Sequence, residues 1–133
     1  MGPGRLFAVL LLAGCAGAPV GTQPATVLSF LANPALCGHA GSPICEARVN
    51  HVEGRPVFST SLAIELAPGE RTLGLFCKIG LSIMIGDTQS FQREVTAVLS
   101  PGGRYRVEAA MAPKPCTLAL VDEATGKPVG TVR

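Results

Sequence analysis

The chain has 133 residues, with 11 Lys plus Arg against 9 Asp plus Glu, five Phe, one Tyr and no Trp. A formal net charge of +2 and so few rings exclude a nucleic-acid surface, which needs clustered positive charge, and a sugar platform built on exposed aromatics. The length suits one cored domain and is too short for two.

Met1 to Arg5 carries a short positive charge, and Leu6, Phe7, Ala8, Val9, Leu10, Leu11 and Leu12 follow as an unbroken apolar run. That is the layout of a secretory signal. A membrane span takes about 20 apolar residues, and here Gly14, Gly17 and Pro19 interrupt the chain too early. Next stands Leu12-Ala13-Gly14-Cys15, which resembles the lipobox of bacterial lipoproteins at all four positions. The resemblance implies cleavage before Cys15, diacylglycerol on its thiol and acylation of the new amino group. The residue type suits this, because a thiolate is the nucleophile that takes up lipid. Several acyl chains, at about 0.8 kcal/mol per buried CH₂, make such an anchor effectively permanent. Ala16 stands where lipoproteins kept in the inner membrane usually carry Asp, so the resemblance implies an outer-membrane address facing the periplasm. The expected organisation is a signal peptide over 1–14, a lipidated cysteine and uncharged tether over 15–26, and a folded domain over 27–133. The expected partners are the bilayer, through acyl chains on Cys15, and a protein of the cell envelope.

Residues 16–26 are small and rich in Pro and Gly, a tether reaching at most ~35 Å. Thr26 to Leu31 reads as a strand or one helical turn, ended by Asn33-Pro34. From Cys45 the pattern is β: Ala47, Val49 and His51 alternate with Glu46, Arg48 and Asn50, and Glu53-Gly54-Arg55-Pro56 turns the chain. Leu62, Ile64 and Leu66 form the next apolar row. Ala67-Pro68-Gly69-Glu70 then turns, with Pro68 fixing φ and Gly69 supplying the positive φ of a type II turn. The device recurs 33 residues on, Leu99-Ser100-Pro101-Gly102-Gly103-Arg104 matching Leu66-Ala67-Pro68-Gly69-Glu70-Arg71. Each copy is expected to close a hairpin, the second joining Phe91–Leu99 to Arg104–Ala110 with Tyr105, Val107 and Ala109 inward. Thr117 to Val121 reads as a further strand, and Pro128 to Val132 as one short closing edge strand. Short strands between regular turn signals predict an all-β fold, a small antiparallel β-sandwich of about seven strands. The stretch from Val52-Glu53-Gly54-Arg55 through Ile64-Glu65-Leu66-Ala67-Pro68-Gly69-Glu70-Arg71-Thr72-Leu73 is similar to PEGA-like and transthyretin-like modules, which implies a structural or binding unit without catalysis.

With Cys15 assigned to lipid, Cys37, Cys45, Cys77 and Cys116 remain, an even number in an oxidising compartment. Three pairings are possible. Cys77 closes the row Leu73, Leu75, Cys77 and Cys116 opens the row Cys116, Leu118, Leu120, so both face a core and are expected to pair, leaving Cys37 with Cys45. Cys37, His39 and Cys45 also allow a metal reading, but zinc needs reduced thiols and a fourth ligand, so no metal or cofactor is expected.

His39 and His51 are the two histidines, and neither has a Ser and Asp in a recognisable triad arrangement, so no enzyme is expected. Gly80 to Gly86 is uncharged and apolar on both parities, so Leu81, Ile83, Met84 and Ile85 are the candidate partner-binding residues, weighed against a doubly buried strand. Arg93 breaks its row, sharing parity with Phe91, Val95 and Leu99; a bulge or an inward charge near an edge accounts for it. The expected function is a membrane-anchored structural or protein-interaction role. The alternative is an inhibitor or ligand-binding module acting on a periplasmic or foreign hydrolase, using the Cys37–Cys45 loop as a clamped edge.

Overall fold

The computed structural model describes residues 20–31, 44–57, 62–80 and 88–133. Among these the chain is all β apart from a 3-10 turn at Val20–Thr22. One sheet holds β1 (Ala25–Leu28), β5 (Ala63–Leu66), β8 (Arg104–Ala110), β9 (Thr117–Asp122) and β10 (Pro128–Val129), in the order β10-β9-β8-β1-β5. The other holds β2 (Phe30–Leu31), β3 (Ile44–Val52), β6 (Gly69–Gly80), β7 (Thr88–Leu99) and β11 (Thr131–Val132), in the order β11-β7-β6-β3-β2. A two-residue β4 (Arg55–Pro56) folds back onto β3. The expected sandwich is present, in eleven segments where about seven were expected, because β2, β4, β10 and β11 each extend over only two residues.

Strand alternation builds the core. Leu73, Leu75, Cys77 and Ile79 of β6, with Val95, Ala97 and Leu99 of β7 beside them, form a core with Leu118 and Leu120 of β9 and Val27 of β1 in the opposing sheet, all at most 3% exposed. Each such Leu or Val contributes about 2 kcal/mol by leaving water. The expected bridge between Cys77 and Cys116 is formed, joining β6 to the start of β9 across a sequence separation of 39.

Both Leu-x-Pro-Gly-x-Arg turns depart from expectation. Neither closes a hairpin: β5 lies in the first sheet and β6 in the second, while β7 lies in the second and β8 in the first. Locally the turn chemistry holds, with Gly69 and Gly102 at φ of 107° and 67°. What differs is the far partner, because β1 occupies the slot between β5 and β8, antiparallel to β5 and parallel to β8, with Val27 opposite both Ile64 and Tyr105. The two arches sit side by side at one end of the sandwich, since Gly69 pairs with Leu99. Arg71 braces the first by donating to the Ala67 and Pro68 carbonyls at 2.9 and 3.0 Å. Tyr105, 3% exposed, braces the second: its hydroxyl accepts a hydrogen bond from the Ser100 N–H at 2.8 Å. The chain enters the sandwich at this same end, where the Gly102 N–H donates to the Gln23 carbonyl.

The closing strand also differs from expectation. It splits at Gly130, β10 pairing with β9 and β11 pairing with β7, so the C-terminal residues seam one lateral edge of both sheets. Gly130 stands at φ 87°, and a Cβ there would lie 2.6 Å from the Thr96 carbonyl oxygen. No other residue type fits that crossing.

Two substitutions test these braces by urea denaturation. Tyr105→Phe removes the acceptor from the Ser100 N–H and is expected to cost about 1 kcal/mol. Replacing Cys77 and Cys116 together by Ser is expected to cost about 3–4 kcal/mol through the longer reach of the unfolded chain.

Candidate functional site

From Glu94 toward Thr88, β7 is exposed apart from the half-buried Phe91, while β6 beside it stays in the core as far as Gly80. The core-parity residues of β7 are buried at Leu99, Ala97 and Val95, half-buried at Phe91 and exposed at Arg93. The Arg93 parity puzzle therefore resolves without a bulge in β7, whose register with β6 is continuous from Gly69↔Leu99 to Gly80↔Thr88. Arg93 is an exposed charge on the inward row, between buried Val95 and half-buried Phe91 and opposite the buried Leu75.

Phe91, Gln92 and Arg93 form one wall of a cleft of about 330 Å³, and Lys114, Pro115, Cys116 and Thr117 form the other. The Cys77–Cys116 bridge holds the two walls together. Among the described residues, Arg93 and Lys114 have no carboxylate partner. Five other arginines, Arg48, Arg71, Arg104, Arg106 and Arg133, pair with Glu46, Glu53, Glu123, Glu108 and Glu94, and Arg55 has no carboxylate partner among the described residues.

Beside the cleft, the outer edge of β7 is only partly covered. Thr131 and Val132 of β11 pair with Thr96 and Val95, and the Arg133 N–H donates to the Glu94 carbonyl at 2.9 Å. Among the described residues, nothing pairs with that edge from Thr88 to Arg93. In an antiparallel strand both backbone groups of a residue point to one side and alternate along the chain. With Glu94 turned to β11, Gln92 and Ser90 direct their N–H and C=O groups to the same open side.

A second groove of about 350 Å³ lies on the outer face of the second sheet, lined by His51, Thr72, Gly74, Glu94 and Arg133 and by Gln92 and Arg93, which border both this groove and the cleft. His51 was expected on the inward row with Ala47 and Val49. A register shift between Val49 and His51 adds Asn50 to β3 and turns His51 outward over Gly74, where a Cβ would lie 2.8 Å from the His51 Cβ. The polar groups around it are engaged elsewhere: the Thr72 and Thr96 hydroxyls hydrogen-bond at 3.0 Å, and Glu94 pairs with Arg133. That geometry supplies no nucleophile and base in contact.

Of the residues singled out in the sequence, Cys77 and Cys116 are brought together as expected. Cys45 is disulfide-bonded, and its expected partner Cys37 lies outside the described residues. Cys15, His39, Leu81, Ile83, Met84 and Ile85 also lie outside them. No group of three or more metal-ligating side chains occurs among the described residues, and none of their helices is long and apolar enough to cross a membrane. Lys114 carried no signal in the sequence, since only the fold sets it across from Arg93. No family model, curated protein or solved structure matches this chain.

An exposed inward charge on an edge strand keeps other strands from adding to the sheet. Arg93→Val is therefore expected to leave stability within about 0.5 kcal/mol of the parent, since the site is exposed. It is expected to increase self-association in sedimentation velocity.

Proposed function

We propose that the protein is a lipid-anchored interaction module of the bacterial cell envelope, fixed to the membrane through Cys15 and acting by binding without catalysis. The observation that carries this reading is the polarity of the sandwich. The chain enters at the arch end, next to Gln23 and Gly102, so a lipid on Cys15 tethers that end to the bilayer. At ~3.4 Å per residue, β6 runs roughly 37 Å from the arches to Gly80. The features suited to binding lie away from the arches: the cleft between Phe91 and Lys114 and the edge of β7 that no described strand pairs; the apolar Leu81, Ile83, Met84 and Ile85, outside the described residues, follow Gly80 in the chain. The Cys77–Cys116 bridge makes the cleft rigid, which lowers the entropy lost on binding. The similarity of Val52 to Leu73 to PEGA-like modules points the same way.

Palmitate labelling and membrane fractionation test the anchor: the parent is expected to take up label and sediment with membranes, while Cys15→Ser takes up none and fails to be processed. A photo-crosslinker at Ile83 in intact cells tests the binding role. A protein adduct of defined mass is expected; lipid adducts alone, or none, contradict it.

A further inference from the structure

We infer that the outer edge of β7 and the neighbouring cleft form a docking site for an extended acidic peptide segment, which adds as a strand beside Thr88–Arg93 and sets a carboxylate between Arg93 and Lys114. This deepens the interaction reading above by naming the chemistry of the partner.

Two independent observations converge on it. The first is backbone: among the described residues nothing pairs with the outward N–H and C=O groups of Ser90 and Gln92, which lie along the line that β11 begins at Thr131 and Val132. A strand laid there continues the β11 ladder, the β-augmentation mode in which main-chain hydrogen bonds give affinity and side-chain pockets give specificity. The second is charge. Residues of such a strand opposite Phe91 and Arg93 point to the core-parity side, into the cleft of about 330 Å³. There an apolar side chain meets the Phe91 ring, and a carboxylate meets two cations that have no acidic partner among the described residues.

The same Arg93 selects among partners. An apolar strand at this edge would bury the guanidinium unpaired, whereas an acidic one pairs with it. Arg93 thus guards the edge against general aggregation and opens it to one class of sequence. Shape alone would not require a positive charge on this row. Five arginines stand beside glutamates, whereas among the described residues Arg93 and Lys114 border one cleft with no carboxylate partner.

The test uses the full chain in detergent micelles and a blocked, fluorescein-labelled hexapeptide that carries Val and Glu two residues apart with Thr elsewhere, so that both fall on one face of the added strand, followed by anisotropy. Capped ends remove terminal charges, so only side-chain carboxylates are read. Saturable binding is expected, weakened about tenfold or more in the double variant Arg93→Glu/Lys114→Glu and for the peptide with Gln in place of Glu. A peptide N-methylated at alternate residues, unable to complete the ladder, is expected to bind as weakly. Arg55→Glu reverses an exposed, unpaired arginine at the β3–β4 turn and is expected to bind like the parent. Circular dichroism confirms that each variant is folded. Equal binding of the Glu and Gln peptides, undiminished binding by the double variant or by the N-methylated peptide, or an equal loss in Arg55→Glu overturns the proposal. If no peptide binds while Ile83 still captures a protein, the docking site is rejected and the anchored-interaction reading stands.

Discussion

The structure depends on the long antiparallel ladder between β6 and β7, twelve residue pairs from Gly69↔Leu99 to Gly80↔Thr88. Strands of four to seven residues in the opposing sheet cannot cover such a pair from end to end. At the arch end the match is close, and Leu73, Val95, Leu99, Tyr105 and Leu120 pack out of water. Toward Thr88, β7 is exposed while β6 beside it stays buried to Gly80. Arg93 opposes Leu75 in the middle of the ladder, on the side of β7 that no described strand pairs, and the Cys77–Cys116 bridge ties β6 to the start of β9 nearby.

A second constraint is that the sheets share strands. β1 runs on into β2 after Ser29, β10 into β11 after Gly130, and both Pro-Gly arches cross between sheets. Such crossings remove free edges at the lateral seams. Among the described residues, the part of the β7 edge beyond β11 pairs with no strand, and the exposed residue on its inward row there is charged.

Much of this was legible in the chain because it is set by near neighbours. Alternation revealed the strands and the inward rows of β6, β8 and β9; parity brought Cys77 to Cys116; Pro-Gly chemistry set φ at Gly69 and Gly102. Arg93 was visible as a break in its row. The rest depends on distant partners. A Pro-Gly turn has the same local geometry whether its strands pair with each other or cross between sheets, and only the insertion of β1 between β5 and β8 decides. The extra residue at Asn50, which turns His51 outward, leaves alternation intact in the sequence, because the shift appears only against the register of β6. Lys114 lies in a segment without periodicity, and its place across the cleft is set by the disulfide beside it.

The central structural feature is the backbone edge of β7 from Thr88 to Arg93, which no strand pairs among the described residues. Residue-resolved amide hydrogen exchange on the free protein tests it most directly. Ser90 and Gln92 amides are expected to exchange rapidly, while those of Phe91 and Arg93, turned toward β6, are expected to be protected. Equal protection of all four amides would show the edge to be covered and would contradict the account.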